Sequence, residues 1–307
     1  MPKKVNSVEY SPQAFVILHL AVLLFALSAL FGKWIALSAI LIVFGRAVFA
    51  AMALVIVCRF RGKSWQLSLV DSFKRFAFSG FILAIHWVTF FLAIQLSNVT
   101  LGLLTFASYP IFVCLIGVYL KQANLCWKTW LQAIMCLLGI YLALPMIDYP
   151  NDLLFGAVSG VISAASFALL TLVNQRSLST HSASVLSLYQ NAYAALWLLP
   201  FAVWQISSLN LVLENEIRFW LTQLALIALL GVVFTALSHT MMNYSLSKLS
   251  ATLVSVTISL EPIYGIIAAI IFLSEPINMM IASGASLVLL ANVWALRMVK
   301  PTSAMSE

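Results

Sequence analysis

The sequence predicts an all-α membrane protein of ten transmembrane helices, arranged as two inverted five-helix repeats. Hydrophobic residues make up 63% of the 307 positions and charged residues 8%, more apolar surface than a soluble domain needs. One helical hairpin sequence also occurs twice. A bilayer core about 30 Å thick takes roughly 20 apolar residues per helix. Ten such stretches can be read in the chain, at about 13–32, 36–58, 76–96, 100–120, 128–147, 153–174, 184–206, 219–246, 250–273 and 277–297.

The repeated hairpin indicates a duplicated membrane unit. Segment 93–110 is echoed by segment 243–262. Each copy ends one apolar helix, turns at a Leu-Ser pair and starts another helix that carries a proline near its middle. Five spans per unit is an odd number, so the second unit is inverted relative to the first, as in many secondary transporters. The predicted units are a first repeat at 1–149, a second repeat at 150–300 and a short cytoplasmic tail at 301–307.

Basic residues are concentrated on one side of this predicted topology. With the N-terminus inside, 13 of the 16 Lys and Arg fall on the inner side, whereas Lys33 and Arg218 fall outside and Arg46 lies within a span. Loops rich in Lys and Arg stay in the cytoplasm. We therefore expect a multi-pass inner-membrane protein with both termini cytoplasmic. The first span lacks a small-residue cleavage site, and we expect it to be retained.

Composition and motifs exclude several classes of function. The net charge of +7 comes from basic residues scattered over short loops, so no nucleic-acid partner is expected. No Gly-rich phosphate loop, HExxH, GxSxG or CxxC pattern occurs, and such patterns mark phosphate, metal and nucleophile sites. We expect no enzyme activity, catalytic residue, cofactor or metal site. The expected partners are a small-molecule substrate and the lipid bilayer, with the chain a monomer or weak dimer.

Arg46 is the first candidate functional residue, about a third to half way along the second span. A charged side chain near the bilayer centre costs roughly 2.5 to 3.5 kcal/mol on insertion scales. In one interpretation Arg46 faces an aqueous cavity and binds an anionic group through its planar fork of donors. In the other, it forms a structural pair with Glu261 or with backbone carbonyls.

Glu261 directly precedes Pro262 inside the ninth span. Proline removes a backbone donor and clashes with the carbonyl four residues back, so a kink with exposed polar backbone is predicted. A carboxylate at that break could couple transport by binding a proton, a cation or an ammonium group. Alternatively, it neutralises Arg46 or braces the broken helix. Pro110 gives the fourth span the same flexible point, which makes Pro110 and Pro262 the predicted hinges.

Polar and aromatic residues complete the predicted substrate site. They lie at helical spacing around the two hairpins, and His239 and Asn243, one turn apart, share a helix face. Each residue taken singly is better explained by hydrogen bonding between helices, so the set rather than any member indicates a cavity. The predicted substrate-binding residues are Arg46, His86, Trp87, Tyr109, Gln190, Asn191, His239, Asn243 and Tyr244.

The second hairpin resembles the EamA branch of the drug/metabolite transporter (DMT) superfamily. Residues 244–255, followed by Leu-Glu-Pro at 260–262 and Leu-Ser-Glu-Pro at 273–276, are similar to that family's most repeated pattern. The resemblance implies ten helices, inverted repeats, cytoplasmic termini and alternating-access transport of small organic solutes. The first hairpin departs from the pattern, with Tyr109-Pro110 in place of Glu-Pro.

These observations favour a secondary transporter that moves a small organic metabolite across the inner membrane by alternating access, with an amino acid or derivative as the favoured cargo. Two alternatives stay open. A lipid-linked substrate flippase would need a lateral opening and an apolar groove. A non-transporting membrane receptor or scaffold would tolerate loss of Arg46 and Glu261.

Overall fold

The computed structural model describes residues 11–60, 65–120, 127–143, 151–208 and 217–298, and every regular element in these ranges is helical. The first half contains α1 (Pro12–Ser28), α2 (Phe31–Trp34), α3 (Ala39–Phe60), α4 (Leu69–Leu96), α5 (Val99–Phe106), α6 (Tyr109–Tyr119) and α7 (Trp127–Ala143). The second half contains α8 (Asn151–Ser177), α9 (Ala183–Ser208), α10 (Ile217–Gly231), a π-helical segment (Val232–Leu237), α11 (Ser238–Leu246), α12 (Ala251–Ile258), α13 (Glu261–Leu273) and α14 (Met279–Met298).

Several of these helices can cross a membrane, which confirms an all-helical protein with multiple spans. Helices lie at each of the ten predicted positions, whereas the count of ten crossings stays a prediction. The predicted repeat boundary at 149–150 and the tail at 301–307 lie outside the described residues, and the domain limits stay predictions. Within the described ranges, seven stretches are long and apolar enough to span: Pro12–Trp34, Ala39–Phe60, Leu69–Leu96, Val99–Tyr119, Asp152–Ser177, Ile217–Leu246 and Ala251–Leu273, with shorter apolar helices at Trp130–Ala143 and Met279–Trp294.

The two hairpin prolines lie near the middle of the spans Val99–Tyr119 and Ala251–Leu273, where each helix is interrupted, in agreement with the predicted kinks. Only two residues separate α5 from α6, and two separate α12 from α13. Pro110 and Pro262 fall in the first turns of α6 and α13. A proline there breaks no helical hydrogen bond, because the first backbone N–H groups of a helix have no partner within it.

Helix α4 brings the two halves of the chain together at the centre of the bundle. It packs along α8 and α9 of the second half and also contacts α3. Its buried face includes His86, Trp87, Phe90 and Phe91. The rings of Trp87, Phe90 and Phe91 lie in one core cluster with residues of α1, α3, α5 and α8. The aromatic core of the bundle is thus built around the middle of α4.

Two glycines let α8 approach α4 and α5 closely. A Cβ added at Gly156 would lie 3.2 Å from the carbonyl oxygen of Ala93, whereas one added at Gly160 would collide with the side chain of Thr105. The two glycines are one helical turn apart and face the same neighbours. Such small-residue pairs allow close backbone packing between membrane helices, and this pair serves contacts inside the bundle.

Replacing Gly160 with alanine should destabilise the protein more than the same change at Gly156. At Gly160 the added methyl meets the β-branched Thr105, and overpacking of this kind costs about 1–3 kcal/mol. Replacing a glycine by alanine within a helix stabilises the helix by roughly 0.5–1 kcal/mol. At Gly156 this gain offsets the tight contact of 3.2 Å with the Ala93 carbonyl oxygen, so Gly156→Ala should be near neutral. Thermal unfolding in detergent measures both. A Gly160→Ala midpoint equal to that of Gly156→Ala would contradict this packing. Thr105→Ala should recover only part of the loss in the Gly160→Ala variant, because the Cβ of residue 105 would still lie 2.7 Å from the added methyl.

Candidate functional site

A small cavity lies at the centre of the bundle, between helices of both halves. Its volume is about 20 Å³, enough for about one water molecule. The walls are mainly aromatic and carry two groups of opposite charge. The lining residues are Phe25, Ser28, Arg46, His86, Trp87, Phe90, Phe106, Phe167, His239 and Glu261.

The guanidinium of Arg46 is buried against two aromatic faces, and the side chain is 2% exposed. Its Cζ lies 4.2 Å from the ring centroid of Trp87 and 5.3 Å from that of Phe91. Nε donates a hydrogen bond to Thr235 Oγ1 at 2.8 Å, and Nη2 donates to the Phe234 carbonyl at 3.5 Å. These contacts offset part of the cost of burying a cation. They leave Nη1 with no hydrogen bond from the described residues.

The carboxylate of Glu261 lies on the same cavity and is 3% exposed. Glu261 is the first residue of α13, where the helix dipole favours a negative charge. Among the described residues, none donates a hydrogen bond to this carboxylate or forms an ion pair with it. A direct pair with Arg46, one of the two structural alternatives, is therefore not formed in this conformation. The other structural alternative was a contact between Arg46 and backbone carbonyls, and one such contact is present, to the Phe234 carbonyl.

Two histidines face the cavity in different ways. His86 Nδ1 lies 2.8 Å from the Ser163 hydroxyl and 3.1 Å from the Ser163 carbonyl oxygen, and its ring stacks on Phe167 at 4.4 Å. His239 makes edge-to-face contacts with Trp87 and Phe25, both at 4.9 Å between centroids. No side chain within the described ranges hydrogen-bonds to His239. The cavity therefore presents His239 and Glu261 as groups with unused hydrogen-bonding capacity.

The π-helical segment between α10 and α11 faces Arg46 and supplies both of its hydrogen-bond acceptors. Such turns are rare and are found frequently at functional sites. Sequence reasoning missed Thr235 and Phe234, because nothing in the local composition distinguishes a π turn from an α-helical one. It also missed the cavity aromatics Phe106 and Phe167, since aromatic residues in apolar helices ordinarily pack in the core.

The structure brings five of the predicted site residues together around the cavity: Arg46, His86, Trp87, His239 and Glu261. Tyr109 and Tyr244 are not among the lining residues. Tyr109 is fully buried beside the cavity aromatics, with its hydroxyl 2.6 Å from that of Thr171. Tyr244 is half-buried at the edge of the main core. Whether any of these residues binds substrate stays a prediction.

The remaining predicted residues form a separate polar network. Asn174 and Gln190 exchange hydrogen bonds through their side-chain amides, and Asn174 also donates to Asn243 Oδ1 at 3.1 Å. Asn243 donates to the Ser187 hydroxyl at 2.9 Å. Asn191 donates to the Ser187 carbonyl at 2.8 Å, while its own Oδ1 has no partner. This amide network joins α8, α9 and α11 and does not line the cavity.

Apolar helices long enough to cross a membrane thus surround a central cavity lined by a basic and an acidic side chain. The chain matches the model of the EamA-like transporter family over residues 13–144 and 154–297. It belongs to that family, within the drug/metabolite transporter superfamily. The family indicates a multi-pass membrane transporter rather than an enzyme.

The proteins similar to this chain include one relative and one protein of known structure. An uncharacterized transporter of Archaeoglobus fulgidus is 22% identical over 197 residues, which cover 64% of this chain and 67% of that protein. A protein of known crystal structure superposes with a TM-score of 0.64 at 16% identity, over 95% of this chain and 100% of that one. This second likeness concerns the fold alone.

The hydrogen bonds between Asn174 and Gln190 should give measurable coupling in a double-mutant cycle. Side-chain hydrogen bonds between membrane helices are worth about 0.6 kcal/mol on average and at most about 1.7 kcal/mol. We expect a coupling in that range from the unfolding free energies of Asn174→Ala, Gln190→Ala and the double variant. Asn174→Ala combined with Thr222→Ala, on the exposed face of α10, is the control and should be additive. A coupling of zero for the first pair would contradict a structural role of the network.

Proposed function

We propose that this protein is a secondary transporter that moves a small zwitterionic metabolite, such as an amino acid or derivative, across the inner membrane by alternating access. The proposal rests on one observation. Arg46 and Glu261, a basic and an acidic side chain, are almost fully buried and line one cavity without forming an ion pair. Buried charges are unfavourable unless they are paired. A zwitterion would supply a carboxylate to the unpaired edge of Arg46 and an ammonium group to Glu261.

The aromatic walls of the cavity support the same class of substrate. Trp87, Phe106 and Phe167 present ring faces or edges beside the charged groups. A ligand ammonium is attracted to such faces when it is removed from water. The apolar body of a metabolite would also be favoured there. His239 lines the same cavity and offers a further hydrogen-bonding group.

The cavity corresponds to a closed state of the proposed transport cycle. Binding sites for small molecules are typically about 300–1,000 Å³, far larger than the volume of about 20 Å³ found here. A substrate therefore has to enter after the helices around the cavity separate. The helix breaks before Pro110 and Pro262 supply interruptions at which α5, α6, α12 and α13 can move as separate rigid pieces.

Contacts between the two halves close the predicted outer side. The Glu275 carboxylate accepts hydrogen bonds from the Val99 N–H at 2.8 Å, the Thr100 N–H at 3.1 Å and the Thr100 hydroxyl at 2.8 Å. It thereby caps the N-terminus of α5, where anions are favoured. Within the first half, Lys33 Nζ donates to the Ser97 carbonyl at 2.9 Å on the same side. Separation of the two halves on this side would require the Glu275 bonds to break.

The amide network occupies the predicted inner side, so closure at both ends supports an occluded state. We propose the same topology as before: ten helices in two inverted repeats, cytoplasmic termini and a monomer or weak dimer in the bilayer.

An apolar groove of about 510 Å³ between α3 and α10 opens on the bundle surface, as a flippase would need. It shares no lining residue with the charged cavity. The charged cavity therefore favours a water-soluble cargo.

Loss of the charge at Arg46 should weaken specific binding while leaving a folded protein. A purified sample in detergent is screened by thermal shift against amino acids, nucleotides, sugars and organic cations. A ligand at a hundred times its Kd adds about 2.7 kcal/mol of stability. Hydrogen bonds to charged groups contribute about 1.5–3 kcal/mol, so Arg46→Gln should weaken an amino-acid ligand by at least tenfold. Arg46→Lys keeps the positive charge but loses the planar pair of donors, so its affinity should lie between those of the wild type and Arg46→Gln. Unchanged affinity in Arg46→Gln would contradict the proposal.

Removing the carboxylate at Glu261 tests coupling to protons. In proteoliposomes, uptake of the amino acid identified by the screen should depend on pH for the wild type. Glu261→Gln should lose that dependence but retain exchange of labelled for unlabelled substrate, because exchange needs no net proton movement. Asp71→Asn, at the exposed start of α4, is the matched control and should behave as the wild type. A Glu261→Gln variant with normal pH dependence would refute the coupling role.

A further inference from the structure

The π-helical segment creates an unusual hydrogen bond at Thr235. In an α-helix, a threonine hydroxyl can donate to the carbonyl three or four residues earlier. Here the Thr235 hydroxyl donates to the carbonyl of Leu230, five residues earlier, at 2.7 Å. The wider π turn makes that spacing possible. Thr235 is completely buried, so the hydroxyl is held in this orientation by the backbone itself.

The fixed hydroxyl turns its oxygen toward Arg46. A hydroxyl has one hydrogen to donate and two lone pairs to accept with. Because the hydrogen is committed to Leu230, the oxygen accepts from Arg46 Nε at 2.8 Å. The neighbouring carbonyl of Phe234 faces Nη2 at 3.5 Å. The π segment thus contacts one edge of the guanidinium at two points.

The Trp87 ring restricts the rotation of the guanidinium group. It covers one face of the group, with 4.2 Å between Cζ and the ring centroid. A planar group held by its face and by one edge cannot rotate without losing a contact. Nη1 is left without a hydrogen bond from the described residues, in a side chain that lines the cavity.

We propose that Thr235 is a positioning residue that orients Arg46 for a carboxylate, and that the π segment sets the selectivity of the site for carboxylates over neutral groups. This inference rests on the proposed function, because it assumes that Arg46 contacts the substrate. The planar fork of arginine matches the two oxygens of a carboxylate only in a defined orientation. A guanidinium free to turn would still attract anions but would discriminate less between a carboxylate and a carboxamide.

The test compares Thr235→Val, which removes the hydroxyl and keeps the shape, with Thr235→Ser, which keeps the hydroxyl. The control is Thr257→Val, because Thr257 is equally buried, donates within its own helix to Leu253 and lines no part of the cavity. The probes are the proteinogenic L-amino acids and their carboxamides, with Kd measured by calorimetry. The readout is the ratio of carboxamide Kd to amino-acid Kd, which a general loss of stability does not change.

In Thr235→Val this ratio should fall by about tenfold, the equivalent of one hydrogen bond to a charged group. Thr235→Ser and Thr257→Val should keep the wild-type ratio. If Thr235→Val is not recovered in folded form, Thr235→Ala makes the same comparison. A wild-type ratio in the hydroxyl-free variant, with Arg46→Gln still defective, would overturn the inference and leave the proposed function intact. Normal binding by Arg46→Gln would overturn both.

Discussion

The burial of the Arg46 guanidinium is the constraint on which the rest of the site depends. A cation at this depth costs roughly 2.5–3.5 kcal/mol to insert, and the chain offsets that cost from three directions. Trp87 covers one face, Thr235 accepts from one edge, and Glu261 provides an opposite charge across the cavity. None of these contacts uses Nη1. The protein therefore stabilises the cation enough to bury it, while an anionic group can still be bound.

The ends of the bundle use different physical means to keep water from these charges. On the predicted outer side, the end of α13 turns through Ser274, whose positive φ of 53° ends the helix. Glu275 follows and caps α5 through Val99 and Thr100. On the predicted inner side, neutral amides such as Asn174 hydrogen-bond across three helices. A carboxylate bound to helix N–H groups can exchange these partners for water one at a time. In the buried amide network, the hydrogen bonds between the three helices have to break together.

The sequence predicted the helix positions well, because long apolar runs determine where helices lie in a membrane protein. It also identified Arg46 and Glu261, since a charge in an apolar run requires an explanation. It did not identify Phe106, because a cavity aromatic and a core aromatic have the same sequence pattern. Thr235 was missed since a π turn depends on tertiary packing. The interruption at Pro262 was predicted, because proline removes a backbone donor and clashes with the preceding turn.

The central claim is that Arg46 and Glu261 bind the two ends of one zwitterion. The most direct measurement compares the Kd of the best amino-acid ligand with those of its decarboxylated amine and its deaminated acid, which share the same side chain. We predict that each singly charged analogue binds at least about tenfold more weakly, because each leaves one buried charge without its charge-assisted bond. An amine or acid that binds as tightly as the amino acid would contradict the account.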